Sequence, residues 1–139
     1  MLRGINWIAV LITVVLLEAL GFLWYGPLFG ARWTAALGHV PEAGDMTVTM
    51  TLGVLNTIII AVGLSWLIDR LGARSLMGGI GVALTAWFFF DFTTMAIDYL
   101  YVGHSAELVA INMGYQLVSY LLAGAILGVM RPKPALATA

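Results

Sequence analysis

The chain has no cysteine and few charged side chains, and each shortage excludes a class of protein. Without cysteine there can be no disulfide, no thiolate metal ligand and no thiol nucleophile. Only 9% of the 139 residues are charged, whereas a soluble domain carries about 25%. No basic tract is present of the kind that binds nucleic acid. The chain therefore lacks the polar surface that a water-soluble domain needs.

Apolar residues make up 62% of the sequence, and the mean hydropathy is +1.01. They are concentrated in four runs: Ile5–Tyr25, Thr47–Ile68, Leu76–Ile97 and Leu108–Met130. Each run is long enough to cross the hydrocarbon core of a bilayer, which takes about 20 residues of helix. The sequence therefore predicts an all-α integral membrane protein, a four-helix bundle that forms one transmembrane domain over residues 1–139. We expect the first run to be retained as a helix, because bulky residues follow it in place of a small-residue cleavage site.

The basic residues are distributed unevenly between the connections. If four helices cross the membrane, one side holds Arg3, Arg70, Arg74, Arg131 and Lys133, and the other holds only Arg32. Positively charged connections stay preferentially in the cytoplasm. Both termini are therefore predicted to be cytoplasmic in a multi-pass protein whose general partner is the lipid bilayer.

The segment after the first run, residues 26–38, is too apolar for a solvated loop. Pro27 cannot continue the first helix without a kink, because it has no N–H group. A short helix lying in the outer membrane interface is predicted here. Its aromatic and charged residues are candidates for an interfacial anchor or for a gating element: Trp24, Tyr25, Pro27, Arg32 and Trp33.

The same region resembles a known family. Asn6-Trp7 opens the first run, and Leu23-Trp24-Tyr25-Gly26-Pro27-Leu28-Phe29-Gly30 with Trp33 closes it. This pattern looks like the signature of an uncharacterised bacterial membrane-protein family, domain of unknown function 1761. The resemblance implies four membrane helices, a bacterial cytoplasmic (inner) membrane location and no assigned activity.

Glu18 and Asp91 are the only acidic side chains inside the four apolar runs. A charged side chain near the centre of a bilayer costs about 2.5 kcal/mol or more, so such a group usually serves a function. The runs contain no Lys, Arg or His that could pair with either carboxylate. We therefore expect that at least one carboxyl group carries a proton, or that Arg32 or a bound cation compensates the charge.

Polar side chains in the other two runs are predicted to lie at a similar depth. A rise of about 1.5 Å per residue places Asn56, Asn112 and Gln116 in the central-to-outer half of the membrane, beside the two carboxyl groups. The candidate ligand- or proton-binding residues are Glu18, Asp91, Asn56, Asn112, Gln116 and Tyr115. The amides have an alternative role, because Asn and Gln in membrane helices commonly form hydrogen bonds that hold helices together.

Small residues indicate close contacts between helices. Gly124 and Gly128 form a GxxxG motif, and Gly78, Gly79 and Gly81 lie together in the third run. Such glycines allow helices to approach within a protomer or between protomers. Because four helices enclose little space, the sequence favours a homo-oligomer, most simply a dimer, that uses one of these two glycine groups.

Three functions are compatible with these patterns. The first is a transporter, channel or ligand-binding protein for a proton or a small cationic solute. The second is a structural or accessory membrane subunit in which the polar layer serves packing. The third, the least favoured, is a lipid-modifying membrane enzyme, for which no catalytic residue can be named. No cofactor is predicted and no metal site either, because His104, Asp98 and Glu107 lack a recognised ligand spacing.

Overall fold

The structure, a computed structural model, describes residues 5–38 and 44–130. Its regular structure in these ranges is entirely helical. Four helices are long and apolar enough to cross a membrane: Trp7–Leu28, Met46–Arg70, Leu76–Val102 and Ala106–Val129. We refer to them as the first to fourth helices, and a short helix, Gly30–Leu37, follows the first. The predicted class, an all-α protein with four helices of membrane length, is confirmed.

Each long helix begins at a polar residue whose side chain satisfies backbone N–H groups of the first turn. Asn6 accepts hydrogen bonds from Ile8 and Ala9, and Asp45 does the same for the second helix. Ser75 and Ser105 cap the third and fourth helices. These caps matter because the first N–H groups of a helix have no partner within it.

The first helix continues to Leu28, beyond the predicted end at Tyr25, through a wide π-helical turn over Trp24–Leu28. Within this turn Gly26 has the non-helical angles φ −103° and ψ −105°, next to Pro27. The ring of Pro27 prevents a regular α-helix here, and the wide turn accommodates it. The chain then passes directly into the short helix.

The third helix also differs from the prediction. It contains a π-helical segment, Trp87–Phe92, that includes Asp91. It ends at Val102 instead of Ile97, since the first residue that favours a turn is Gly103, with φ +78°. Asp98 and Tyr99, expected in the connection, are therefore helical.

The bundle is densely packed at the end where the first helix begins and the fourth ends, which we call the Asn6 end. There the Asn6 amide donates a hydrogen bond to the carbonyl oxygen of Met130. The core at this end consists of side chains from all four helices: Ile5, Ala9, Val10, Val14, Leu17, Ala61, Leu64, Ile68, Ala83, Ala123 and Leu127. The basic residues Arg3, Arg131 and Lys133 lie outside the described residues.

The predicted glycine groups are used inside the chain. Gly79 of the third helix lies against Gly124 and Gly128 of the fourth, and a Cβ atom at Gly79 would overlap the carbonyl oxygen of Gly124. A Cβ atom at Gly128 would likewise meet the carbonyl oxygen of Ser75. These three glycines are buried in a contact between helices of one chain, which is one of the two uses expected from the sequence. Gly81 has open space around it.

The opposite end of the bundle, which we call the Trp33 end, is less tightly closed. The second helix packs through Ala61, Leu64, Ser65 and Ile68, near the Asn6 end. Its residues 46–56 are all exposed. The second helix therefore stands away from its neighbours over the half that approaches the Trp33 end.

Candidate functional site

A cavity of about 490 Å³ lies in the middle of the bundle, where the second helix separates from the others. All four long helices line it, through the following residues: Leu17, Glu18, Tyr25, Gly53, Asn56, Thr57, Ile60, Leu64, Asp91, Met95, Tyr115, Gln116, Ser119, Tyr120 and Ala123. Leu17, Leu64 and Ala123 also belong to the packed core. The core therefore closes the cavity toward the Asn6 end.

Each long helix contributes one carboxyl or amide side chain to this cavity. Glu18 comes from the first helix and Asp91 from the third, while Asn56 and Gln116 come from the second and fourth. Glu18, Asp91 and Gln116 are half-buried, and Asn56 is exposed. With Tyr115, five of the six predicted ligand-binding residues meet at one cavity. Their role in binding remains a prediction.

Among the residues that the structure describes, no basic side chain lines the cavity. Arg32, which we expected could compensate the carboxylates, instead forms an ion pair with Glu107, with 2.7 Å between Arg32 Nε and Glu107 Oε1. Both side chains of this pair are exposed, at 68% and 46%. Arg32 is thus engaged with Glu107 and does not compensate Glu18 or Asp91 in this structure.

Asn112 does not line the cavity but joins three helices beside it. Its Oδ1 accepts hydrogen bonds from Tyr25 Oη at 3.2 Å and from Trp33 Nε1 at 3.1 Å. Its Nδ2 donates to Tyr99 Oη at 3.0 Å. The amide is thus engaged at both ends, and its geometry is that of a packing contact between helices.

The three aromatic residues of the set predicted as interfacial or gating, Trp24, Tyr25 and Trp33, form a cluster around Asn112. Trp24 Nε1 donates to the carbonyl oxygen of Ile111 at 3.0 Å. The Tyr25 ring meets the Tyr115 ring edge-on with 5.0 Å between centroids, and it meets Trp33 at 5.6 Å. Tyr25 also lines the cavity, whereas Pro27 is exposed. The cluster fastens the short helix to the fourth helix next to the cavity.

Two polar atoms on the cavity wall, Gln116 Oε1 and Ser119 Oγ, are buried and make no hydrogen bond of normal geometry with the described residues. The Ser119 hydroxyl interacts with Tyr115, so Gln116 Oε1 is the clearer case. Ser119 is only 8% exposed. Buried polar atoms are generally hydrogen-bonded, so this wall has unused hydrogen-bonding capacity of the kind that a polar ligand takes up.

Several lining residues were not among the predicted binding residues, including Thr57, Met95 and Tyr120. Thr57 follows Asn56 directly, and Met95 lies four residues after Asp91, one helical turn along the same face. Helical spacing from Asp91 indicates Met95, whereas Thr57 is adjacent to Asn56 in the chain, and no helical spacing from Asn56 indicates it. Tyr120 lies four residues after Gln116, so helical spacing places both residues on the same face of the fourth helix.

Metal-ligating side chains do not converge in the described ranges: no group of three or more His, Asp or Glu residues is close enough to hold an ion. His104 lies edge-on against Tyr99, with 5.3 Å between ring centroids. Its imidazole is therefore part of the packing at the end of the third helix.

The fold and the cavity define the class: a helical multi-pass membrane protein with a polar cavity in its bundle. Residues 8–128 match the family described as protein of unknown function, DUF1761, so the chain belongs to this family. The predicted resemblance is confirmed. Comparisons with curated proteins and with solved structures found no match.

Proposed function

We propose that this protein binds a proton or a small cationic solute in the cavity and carries it across a bacterial cytoplasmic membrane. The observation that supports this most is the meeting of Glu18 and Asp91, from different helices, in a cavity that is lined by no basic side chain of the described ranges. Carboxyl groups in such surroundings are typical of proton and cation pathways in transporters. The remaining lining is polar enough, through Asn56 and Gln116, to replace part of the water around a cation.

The proposal includes an orientation. Arg70 ends the second helix and Arg74 lies in the connection that follows it, both at the Asn6 end, whereas Arg32 lies at the Trp33 end together with the acidic Glu107. The positive-inside rule then puts the Asn6 end and both termini in the cytoplasm. The short helix Gly30–Leu37 would lie in the outer interface. With this orientation the cavity is closed toward the cytoplasm by the core and is accessible from the outer half of the membrane.

The proposal is tested with purified protein in liposomes. Proton uptake is followed with an internal pH-sensitive dye under an imposed gradient, with and without Na⁺ or K⁺ as a competing or exchanging cation. We expect Glu18→Gln and Asp91→Asn to lower the flux at least about tenfold, because removing one partner of a buried charge contact costs about 2 kcal/mol or more. Glu107→Gln, whose carboxylate pairs with Arg32 outside the cavity, serves as the control and should keep the flux. A wild-type flux equal to that of empty liposomes, or variants equal to wild type, would contradict the proposal.

A second function, a structural or accessory subunit, is favoured by one observation, the use of Asn112 as a contact between helices. If the whole polar layer served packing, Glu18→Gln and Asp91→Asn would lower the thermal stability in detergent. No cation would then shift the melting temperature, since only a ligand that binds the folded state stabilises it.

A further inference from the structure

We infer that the ligand of the cavity is an organic cation with an apolar or aromatic body, and that it enters sideways from the bilayer beside the second helix. This inference rests on the proposed function and specifies its substrate class. It is drawn from the size of the cavity, from the nature of its walls and from the exposure of the lining residues on the second helix.

The cavity is larger than a bare inorganic ion needs. Its volume of about 490 Å³ lies within the range of about 300–1,000 Å³ that is usual for small-molecule sites. Such sites are mostly apolar with a few polar groups that fix the orientation of the ligand. Leu17, Ile60, Leu64 and Met95 supply apolar surface here. A dehydrated metal ion would gain nothing from these side chains, whereas an organic cation would bury its apolar body against them.

Three tyrosines line the same cavity: Tyr25, Tyr115 and Tyr120. An aromatic ring attracts a cation to its face, and this attraction strengthens when the site is shielded from water. Two carboxyl groups among three aromatic rings are suited to a charge spread over a bulky group. The chemistry of the wall thus matches an alkylated or aryl-substituted ammonium or phosphonium ion better than a compact ion with a tightly held water shell.

Access to the cavity lies at the second helix. Gly53 and Asn56 line the cavity and are exposed, so the cavity is open at this part of the second helix. A Cβ atom added at Gly53 would meet nothing within 4 Å. Because this helix is of membrane length and Gly53 lies within it, the opening faces the bilayer and not the aqueous phase. An apolar cation concentrated in the membrane can reach the carboxyl groups through this opening.

Binding of radiolabelled tetraphenylphosphonium to the full chain in lipid nanodiscs tests the substrate class. Tetraphenylborate, which has the same shape and the opposite charge, is the control probe. We expect saturable binding of the cation alone, with affinity reduced at least tenfold in Glu18→Gln and Asp91→Asn. Binding of both ions alike, or binding of the cation that is unchanged in both variants, would overturn the inference.

The route of entry is tested with two glycines of the second helix. Gly53→Trp fills the opening, and Gly63→Trp is the matched control, since Gly63 is equally exposed and free of neighbours but does not line the cavity. We expect the association rate of tetraphenylphosphonium to fall at least tenfold in Gly53→Trp and to stay unchanged in Gly63→Trp. Equal rates in the two variants would overturn lateral entry.

The binding and flux experiments together distinguish a wrong substrate class from a wrong proposed function. If tetraphenylphosphonium does not bind but the liposomes show a proton or Na⁺ flux that depends on Glu18 and Asp91, the substrate class is wrong and the proposed function stands. If neither binding nor flux depends on the two carboxyl groups, both are wrong.

Discussion

Asn112 and Asn56 are the same residue type in two helices of membrane length, yet their surroundings are opposite. Asn112 is held by Tyr25, Trp33 and Tyr99. Asn56 is exposed on the second helix beside the cavity, and no hydrogen bond of its side chain is found among the described residues. The first therefore belongs to the packing of the bundle, and the second is available to a ligand.

This difference predicts the effect of replacing each amide by leucine. Asn112→Leu removes three hydrogen bonds between helices, each worth about 0.6 kcal/mol, and should lower the free energy of unfolding by about 2 kcal/mol. Asn56→Leu should leave it nearly unchanged. Unfolding of both variants in mixed micelles, followed by circular dichroism, measures the two values. Equal losses in the two variants would contradict the separate roles.

The third and fourth helices cross at glycines, and their backbones approach each other more closely there than at the other described glycines. Gly79 lies directly on Gly124 and Gly128, so the two backbones touch without intervening side chains. Beyond this crossing the third helix passes through the π-helical segment Trp87–Phe92, which holds Asp91 at the cavity. Such segments are frequent at functional sites, because the wide turn changes the direction of the side chains that follow.

The crossing predicts that alanine substitutions at two nearby residues, Gly79 and Gly81, differ in their effect on stability. Gly79→Ala places a methyl group on the backbone of the fourth helix and should destabilise the fold by about 1–3 kcal/mol, the usual cost of overpacking. Gly81→Ala points into open space and should be neutral or slightly stabilising, because alanine favours the helix. The melting temperatures of the two variants are compared in one detergent. A similar melting temperature for both would contradict the close backbone contact at Gly79.

At the scale of the whole molecule, one half of the bundle is packed and the other half is open. The core gathers all four long helices at the Asn6 end, and the second helix leaves its neighbours toward the Trp33 end. Most large apolar side chains of the helices face outward, including Phe88, Phe89 and Phe90. Such a surface suits lipid contact on all sides of the bundle.

The absence of cysteine allows the orientation to be measured cleanly. A single cysteine is introduced at Gly44, in the connection at the Trp33 end, or at Leu71, in the connection at the Asn6 end, where both residues are exposed. A membrane-impermeant maleimide added to intact cells should label Gly44→Cys and should label Leu71→Cys only after the cells are opened. The reverse pattern would invert the proposed topology.

The sequence predicted the helical class, the family and the meeting of Glu18, Asp91, Asn56 and Gln116, because hydropathy and helical rise determine which residues share a depth. It did not predict the distinction between Asn56 and Asn112, which depends on where the second helix separates from the bundle. For Gly124 and Gly128 it left open whether the close contact lies within one chain or between two copies. A glycine motif indicates that a helix is approached closely, but not which helix approaches it.

The most direct test of the central claim, that the cavity carboxyl groups bind a cation, compares two aspartates of the third helix. Asp91 lines the cavity, and Asp98 is exposed away from it. Proton flux into liposomes is measured for Asp91→Asn and Asp98→Asn, which remove the same charge from the same helix. The account predicts a loss of at least about tenfold for Asp91→Asn and a wild-type flux for Asp98→Asn. Equal fluxes in the two variants would contradict it.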